Sequence, residues 1–445
     1  MSEDRFEVDL LVVGGGMAGM TAAAYAAEQG RTVLVVEKQG EIGGSARLSG
    51  GGLWTAADYE TLREVNPLGD AALARVLIDG YDAAGGFIES LGASITPREP
   101  YVGTQSFPGV RRHLDVADYM ARCRSCVQAA GGWIVANSTV TGLHLGPNGV
   151  TGGTVSGPDG EVDVQARWTL LATGGFQNDP ALRARYLGAQ AKTLAVRSNP
   201  ASDGQGLRLG ESVGAVTSPH MSGWYGHTIP SPVALPLAPV DFLPYAQFYL
   251  SPRALLLNRQ GARFTDESRG YYLNAQAVAA LPDARALLLF DDRLRKADSD
   301  LYGVDRYDFA QRRGARVATA DNWDDLGKAV EAWGFHGAAA AAKAFDAAIA
   351  SGASLDPERA DACERLNTPP YYAMEVQPAI TFTHGGLRID ARARVLDADG
   401  KPIQGLLAAG ADAGGVYHRA YAGGLAMSSV FGMTAARTVC ESEQA

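Results

Sequence analysis

The chain has 445 residues, with 39 Lys and Arg against 49 Asp and Glu and a net charge of -10. This length allows two or three domains, the acidic balance argues against a nucleic-acid partner, and 46% hydrophobic residues leave ample material for a core. No apolar run reaches the roughly 18 to 20 residues of a membrane span. Glycine is the outlier, 54 of 445, gathered in short runs between apolar segments, which suits close backbone approach to a ligand.

The start, Met1 to Asp9, carries Glu3, Asp4, Arg5, Glu7 and Asp9. A signal peptide opens on basic and then apolar residues, so the expected location is cytoplasmic. Asp9 to Val13 is a short apolar run, as a buried parallel strand should be. Gly14, Gly16 and Gly19 follow in a GxGxxG, Met20 to Gln29 is Ala-rich and helical, Gly30 stops it, and Thr32 to Val36 is a second strand. Glu37 ends that strand, 23 residues after Gly14. A GxGxxG alone is weak, but strand, turn, helix, second strand and acid in register predict a dinucleotide-binding unit. Gly14 permits the tight turn, Gly16 the approach to a pyrophosphate, and Gly19 the packing of helix on strand. The helix N-terminus faces the phosphates, with Met17 and Ala18 in the turn beside them, and Glu37 accepts from ribose hydroxyls. As an acid at a strand end, Glu37 is expected to face the surface.

Lys38 leads into Gly43-Gly44-Ser45 and then Ser49-Gly50-Gly51. A glycine turn just past the ribose acid, followed by a second glycine run, suits a chain tracking a flavin nucleotide and points to FAD rather than NAD. Phe107 to His113 is expected as a basic loop. Val116 to Ala130 reads as a helix carrying Cys123 and Cys126; with no second such pair, no metal site is expected. Trp168 to Phe176 is a strand ending in Ala172-Thr173-Gly174-Gly175, and Gly405 to Gly410 is another strand ending in glycine.

These strings, with Asp203-Gly204-Gln205-Gly206, Gly261-Ala262-Arg263-Phe264-Thr265-Asp266-Glu267, Thr383-His384-Gly385-Gly386 and Tyr421-Ala422-Gly423-Gly424, occur in the order of the fumarate reductase/succinate dehydrogenase flavoprotein superfamily. The chain resembles that superfamily, and within it the soluble desaturases such as 3-ketosteroid dehydrogenase and tricarballylate dehydrogenase. The resemblance implies an α/β fold: a Rossmann-like FAD-binding domain, residues 1–217 and 370–445, with an inserted α+β capping domain, residues 218–369. The insert opens Pro-rich (Pro219, Pro230, Pro232, Pro236, Pro239, Pro244, Pro252), as a lid would, and Trp333 to Ser351 is Ala-rich and helical. The resemblance further assigns Asp203, Gly206, His384, Gly410, Asp412, Gly424 and Ser428 to the cofactor. Some members hold FAD on a His in the loop before the second glycine run; residues 43–49 contain none, so non-covalent FAD is expected.

Desaturation needs a base for the more acidic proton, a hydride acceptor at flavin N5, and a donor for the charge that develops. Where fumarate reductases carry a catalytic Arg after the family Glu, this chain has Tyr271, as ketosteroid enzymes do. Tyr272 is an alternative by a one-residue slip, and Arg269 is an anion clamp or a cation that lowers the phenol's pKa. Two positions that bind dicarboxylates in fumarate reductases hold Tyr421 and Phe382. Tyr421 suits a ketone oxygen. The expected function is therefore FAD-dependent desaturation alpha,beta to a carbonyl, most simply of a cyclic ketone, with an unidentified electron acceptor. The rivals are a carboxylate oxidoreductase using Arg269 with Arg419 or Arg111, and a non-catalytic flavin relay. In the insert, His220 to His227 is expected to send one polar side chain to the substrate.

Overall fold

The first apolar run folds as a strand, β1 (Phe6–Val13), the Ala-rich segment as a helix, α1 (Met17–Glu28), and the next run as β2 (Val33–Val36). This is a computed structural model that describes residues 6–102, 107–247 and 249–442; Glu3, Asp4 and Arg5 of the acidic start lie outside the described residues. β1 and β2 pair in parallel, Leu10 opposite Val33 and Val13 opposite Val36. Both faces of β1 are covered, so Leu10 to Val13 are all buried and apolar rather than alternating. α1 lies against β1, against helix Val116–Ala129 and against the C-terminal helix Gly424–Glu441. The close approach needs Gly19: a Cβ there would stand 2.0 Å from the Gly14 carbonyl oxygen.

β1 is central to an eight-stranded sheet. On one side come β2 and Trp133–Val135; on the other come Gly160–Leu171, Pro402–Ala408 and Arg394–Leu396. Pro402–Ala408 runs parallel to Gly160–Leu171, so a strand from the end of the chain completes a sheet begun at its start. A hairpin, Thr139–Gly146 with Gly149–Gly157, extends antiparallel from Gly160–Leu171.

A second, six-stranded sheet is built on the long strand Tyr371–Thr383. Trp224–Pro230, Ala286–Asp291 and Val317–Ala320 pair antiparallel with it, and the short strand Ala195–Val196 pairs parallel. Helices Trp323–Glu331 and Ala338–Ser351 and the apolar strand Leu255–Leu257 close a separate core around Phe290, Phe335 and Met374. Residue 370 falls just before the central strand of this sheet.

Two local expectations are corrected. The basic segment expected as a loop contains a strand, Gly109–His113, held between Gly52–Ala56 and Glu99–Tyr101; its arginines hid ladder partners distant in sequence. The helix expected over 333–351 begins only at Ala338, because Gly334 and Gly337 take φ of +82° and +69°. Among the described residues no helix is long and apolar enough to cross a membrane.

Candidate active site

Both sheets line a cavity of about 990 Å³, at the upper end of the roughly 300 to 1,000 Å³ usual for ligand sites. One end is walled by Gly14, Gly16, Met17, Ala18, Glu37 and Lys38 of the first βαβ unit. Gly14 takes φ of +105°, and a Cβ on Gly16 would meet nothing within 4 Å, so its backbone is bare toward the cavity. The N-terminus of α1 opens there, and the first N–H groups of a helix, which have no partner within the helix, suit a diphosphate. Gly44, Ser45, Ser49 and Gly50 continue the wall, as do Ala172, Thr173 and Gly174 at the end of the sheet and Gly410, Gly424 and Ser428 from the C-terminal segment. A cradle without side chains at a helix N-terminus, running into a long cleft, fits a flavin dinucleotide.

Glu37 is not on the surface. It is 5% exposed, and its carboxylate accepts the N–H groups of Gly15 and Gln39, each at 2.8 Å. The acid shapes the glycine turn and also lines the cavity.

Other residues assigned to the cofactor stand behind the wall. Asp412 is buried and accepts the N–H and hydroxyl of Thr173 and, at 3.2 Å, the N–H of Gly175. Burial raises its pKa, and the Thr173 bonds act against that rise. Its role is to pin the Ala172-to-Gly175 turn from the far side. Gly206 is small because a Cβ would stand 2.3 Å from the Asp412 carboxylate, and its N–H bonds the Thr173 hydroxyl at 2.9 Å. Asp203 pairs with Lys38 at 2.7 Å. Gly19, Gly43 and Gly51 shape the packing and turns beside the wall, the latter two at φ of +109° and +74°. His384 is 4% exposed, its ring meets those of Phe382 and Tyr417, and among the described residues neither nitrogen has a hydrogen-bond partner. Burial lowers its pKa to about 3, so it is a neutral imidazole off the cavity wall.

At the other end the cavity meets a cluster of rings. Tyr421 stacks on Tyr225 at 3.7 Å and meets Trp54 edge-on at 5.2 Å. Its oxygen accepts the N–H of Gly424, the first residue of the C-terminal helix, at 3.1 Å. Gly423, at φ of +97°, makes this turn under Trp54. Tyr271 opens helix Tyr271–Ala279, with its hydroxyl 3.5 Å from that of Tyr225, which in turn lies 2.9 Å from His227 Nε2. The His227 ring stacks on Tyr271 at 4.9 Å. Burial raises the pKa of Tyr271, Tyr225 and Tyr421 and holds that of His227 well below its ordinary value, so three neutral phenols and a neutral imidazole face one another.

The structure separates the residues that sequence reasoning grouped around Tyr271. Tyr272 is 1% exposed and packs edge-on against Tyr271, away from the cavity; neighbours on a helix diverge by about 100° and only one takes the cavity side. The Arg269 side chain is 59% exposed, pairs with Asp266 at 3.2 Å, and lines no part of the cavity. Gly270 at φ of +117° turns the chain between Arg269 and Tyr271. Arg419 is exposed, and Arg111 reaches the wall but is held by Glu99 at 2.7 Å. Within the insert Tyr225 is the residue of the His220-to-His227 stretch on the cavity wall.

Arg197 was missed. It lies just after strand Ala195–Val196, is 6% exposed and lines the cavity, with Nε donating to the Phe242 carbonyl at 2.9 Å and Nη1 to the Thr381 hydroxyl at 3.2 Å. The stretch between the two family motifs also carries Asp179, Arg183, Arg185 and Lys192, so the sequence offered no signal that singled out Arg197.

The chain is similar over most of its length to characterised flavoenzymes. It is 29% identical to a fumarate reductase (cytochrome) of Shewanella frigidimarina, over 95% of this chain and 75% of that one. It is 25% identical to the 4-oxocyclohexanecarboxylate 2-dehydrogenase of Sinomonas cyclohexanicum, over 98% and 93%. In fold it matches the crystal structure of 3-ketosteroid-delta4-(5alpha)-dehydrogenase from Rhodococcus jostii RHA1, with a TM-score of 0.78 at 20% identity, over 99% and 98% of the two chains. The profile of the FAD binding domain family spans residues 9–425. With the cradle, the cleft and that span in agreement, the chain belongs to the FAD binding domain family and is an FAD-dependent oxidoreductase acting on CH–CH bonds.

Proposed function

We propose that the enzyme desaturates a C–C bond alpha,beta to the carbonyl of a cyclic ketone, of the 3-ketosteroid or oxo-cycloalkane type. The observation that carries this reading is the Tyr421 hydroxyl. Its oxygen already receives the Gly424 N–H at 3.1 Å, so its own proton is what it has left to give to the cavity. A ketone oxygen bound there gains charge as the α-proton leaves, and the phenol bond strengthens with it. Tyr271 takes the α-proton. Its hydroxyl is followed by those of Tyr225 and then His227 Nε2, at 3.5 and 2.9 Å, which gives its own proton a path out. Burial and the charges of Arg197 and Arg306 disfavour a protonated His227, so it serves this path as a hydrogen-bonding relay rather than as the proton's resting place. Bound FAD supplies the hydride acceptor. The ring cluster around Tyr421 and Trp54 excludes water from the reacting carbons. Similarity to the 4-oxocyclohexanecarboxylate 2-dehydrogenase supports an oxo-cycloalkane.

The cofactor is held non-covalently on this reading, residues 43–49 offering no His; acid precipitation then releases the flavin, and flavin retained on the precipitate overturns it. The second sheet and its helices act as the cap over the cofactor. A carboxylate oxidoreductase is the second reading, favoured by buried Arg197 in the same cavity and by likeness to a fumarate reductase. Anaerobic mixing with cyclic ketones and with dicarboxylates, followed by flavin absorbance, separates the two. Bleaching by a cyclic ketone supports the first, and bleaching by dicarboxylates alone overturns it.

A further inference from the structure

Five cations line the cavity, and among the described residues four of them have a carboxylate: Lys38 has Asp203, Arg47 has Glu41, Arg111 has Glu99 and Arg306 has Asp298. Arg197 is the exception. Its two hydrogen bonds go to neutral oxygens, those of Phe242 and Thr381, out of the five N–H groups a guanidinium carries. The aromatic hydroxyls around it, on Tyr225, Tyr271 and Tyr421, do not neutralise it, because burial keeps all three protonated. A guanidinium 6% exposed and without a counter-charge is costly. It is retained at small cost only if an anion joins it, and it lies at the ring end of the cavity rather than at the helix terminus that suits the diphosphate.

We propose that the substrate is a cyclic oxo-carboxylic acid, with its carboxylate on Arg197 and its ketone oxygen on Tyr421. This rests on the ketone reading of the same site. It makes Arg197 the residue that selects an acid over a neutral ketone, and it accounts for phenols and a buried cation in one chamber.

The test uses FAD-loaded enzyme and matched pairs: 4-oxocyclohexanecarboxylate against its primary amide, and cyclohexanecarboxylate against its amide as unreactive ligands. A charge-assisted bidentate pair gives the acid an advantage of about 10- to 150-fold in kcat/KM. Arg197→Met brings acid and amide to within about threefold, the loss falling on KM. Equal use of acid and amide by the wild type overturns the inference and needs no variant. So does a preference that survives in Arg197→Met, or a variant that loses its flavin while Arg197→Lys keeps it, which would give the charge to the cofactor. If no ketone bleaches the flavin, the ketone reading falls, and the unreactive pair still judges Arg197. Tighter perturbation of the flavin spectrum by cyclohexanecarboxylate than by its amide, lost in Arg197→Met, supports the anion site; equal binding overturns it.

Discussion

Tyr421→Phe removes one oxygen and leaves the ring in place, stacked on Tyr225 at 3.7 Å and edge-on to Trp54 at 5.2 Å. Packing is therefore kept, and two hydrogen bonds are lost. The first is the Gly424 N–H, 3.1 Å from the hydroxyl at the start of a helix; helix N-termini tolerate an open N–H, so this loss costs about 1 kcal/mol or less of stability. The second is the donor to the substrate oxygen. In the bound ketone it is a neutral bond worth about 0.5 to 1.5 kcal/mol, a weakening of roughly 2- to 13-fold in Kd. As the α-proton leaves, the oxygen becomes anionic, and removal of one such donor costs about 100- to 1,000-fold in rate. Anaerobic stopped-flow measurement of flavin reduction at saturating ketone separates the terms, with Kd read from the spectral perturbation. A Tyr421→Phe enzyme with full FAD content that reduces its flavin within about threefold of the wild-type rate would refute the assignment of Tyr421 to the carbonyl.

Tyr271→Phe should slow flavin reduction by about 100-fold or more with binding changed only a few-fold. Arg269→Gln, at an exposed arginine paired with Asp266, should leave both within about twofold; the same stopped-flow assay reverses this ranking if Arg269 is the acid/base group. Glu37→Ala should weaken FAD binding by about 10- to 150-fold and also lower the melting temperature, because the N–H groups of Gly15 and Gln39 lose their acceptor. A melting temperature unchanged in the FAD-free protein counts against the second effect. His384 has a pKa lowered from 6.5 to about 3, so the unfolded chain binds its proton first as pH falls. Stability from this group is full above the unfolded value and is lost between pH about 6.5 and about 3. His384→Leu should flatten the fall in urea midpoint over that window, while buried His227 retains its own contribution; an unchanged pH profile would show that His384 does not set it.

The nucleotide half of the cavity was legible in the sequence because its signals are local. Gly14, Gly16, Glu37 and the Ala172-to-Gly174 turn each follow a strand, and backbone geometry alone gives them their place. The ring end was legible only in part. Tyr421 and Tyr271 could be found by their spacing from glycine and glutamate motifs, whereas Arg269, two residues after Glu267 rather than four, is turned outward by a single positive-φ glycine. Arg197 belongs to no motif, and its burial depends on Phe242 and Thr381, 45 and 184 residues further along. Asp412 was assigned to the cofactor, and it holds the Ala172-to-Gly175 turn from outside the cavity wall, since pattern reading gives proximity along a strand but not which face of a turn a carboxylate supports.

The sheet that carries the cofactor is completed by Pro402–Ala408, and the helix Gly424–Glu441 lies on α1. Gly14 and Ser428 thus share one wall although 414 positions separate them. During synthesis the glycine turn is made more than 400 residues before its far wall. Closing the flavin site thus waits on residues 424–428, and a chain cut before residue 424 lacks that wall. Long-range closure of this kind favours slow assembly with the cradle transiently open.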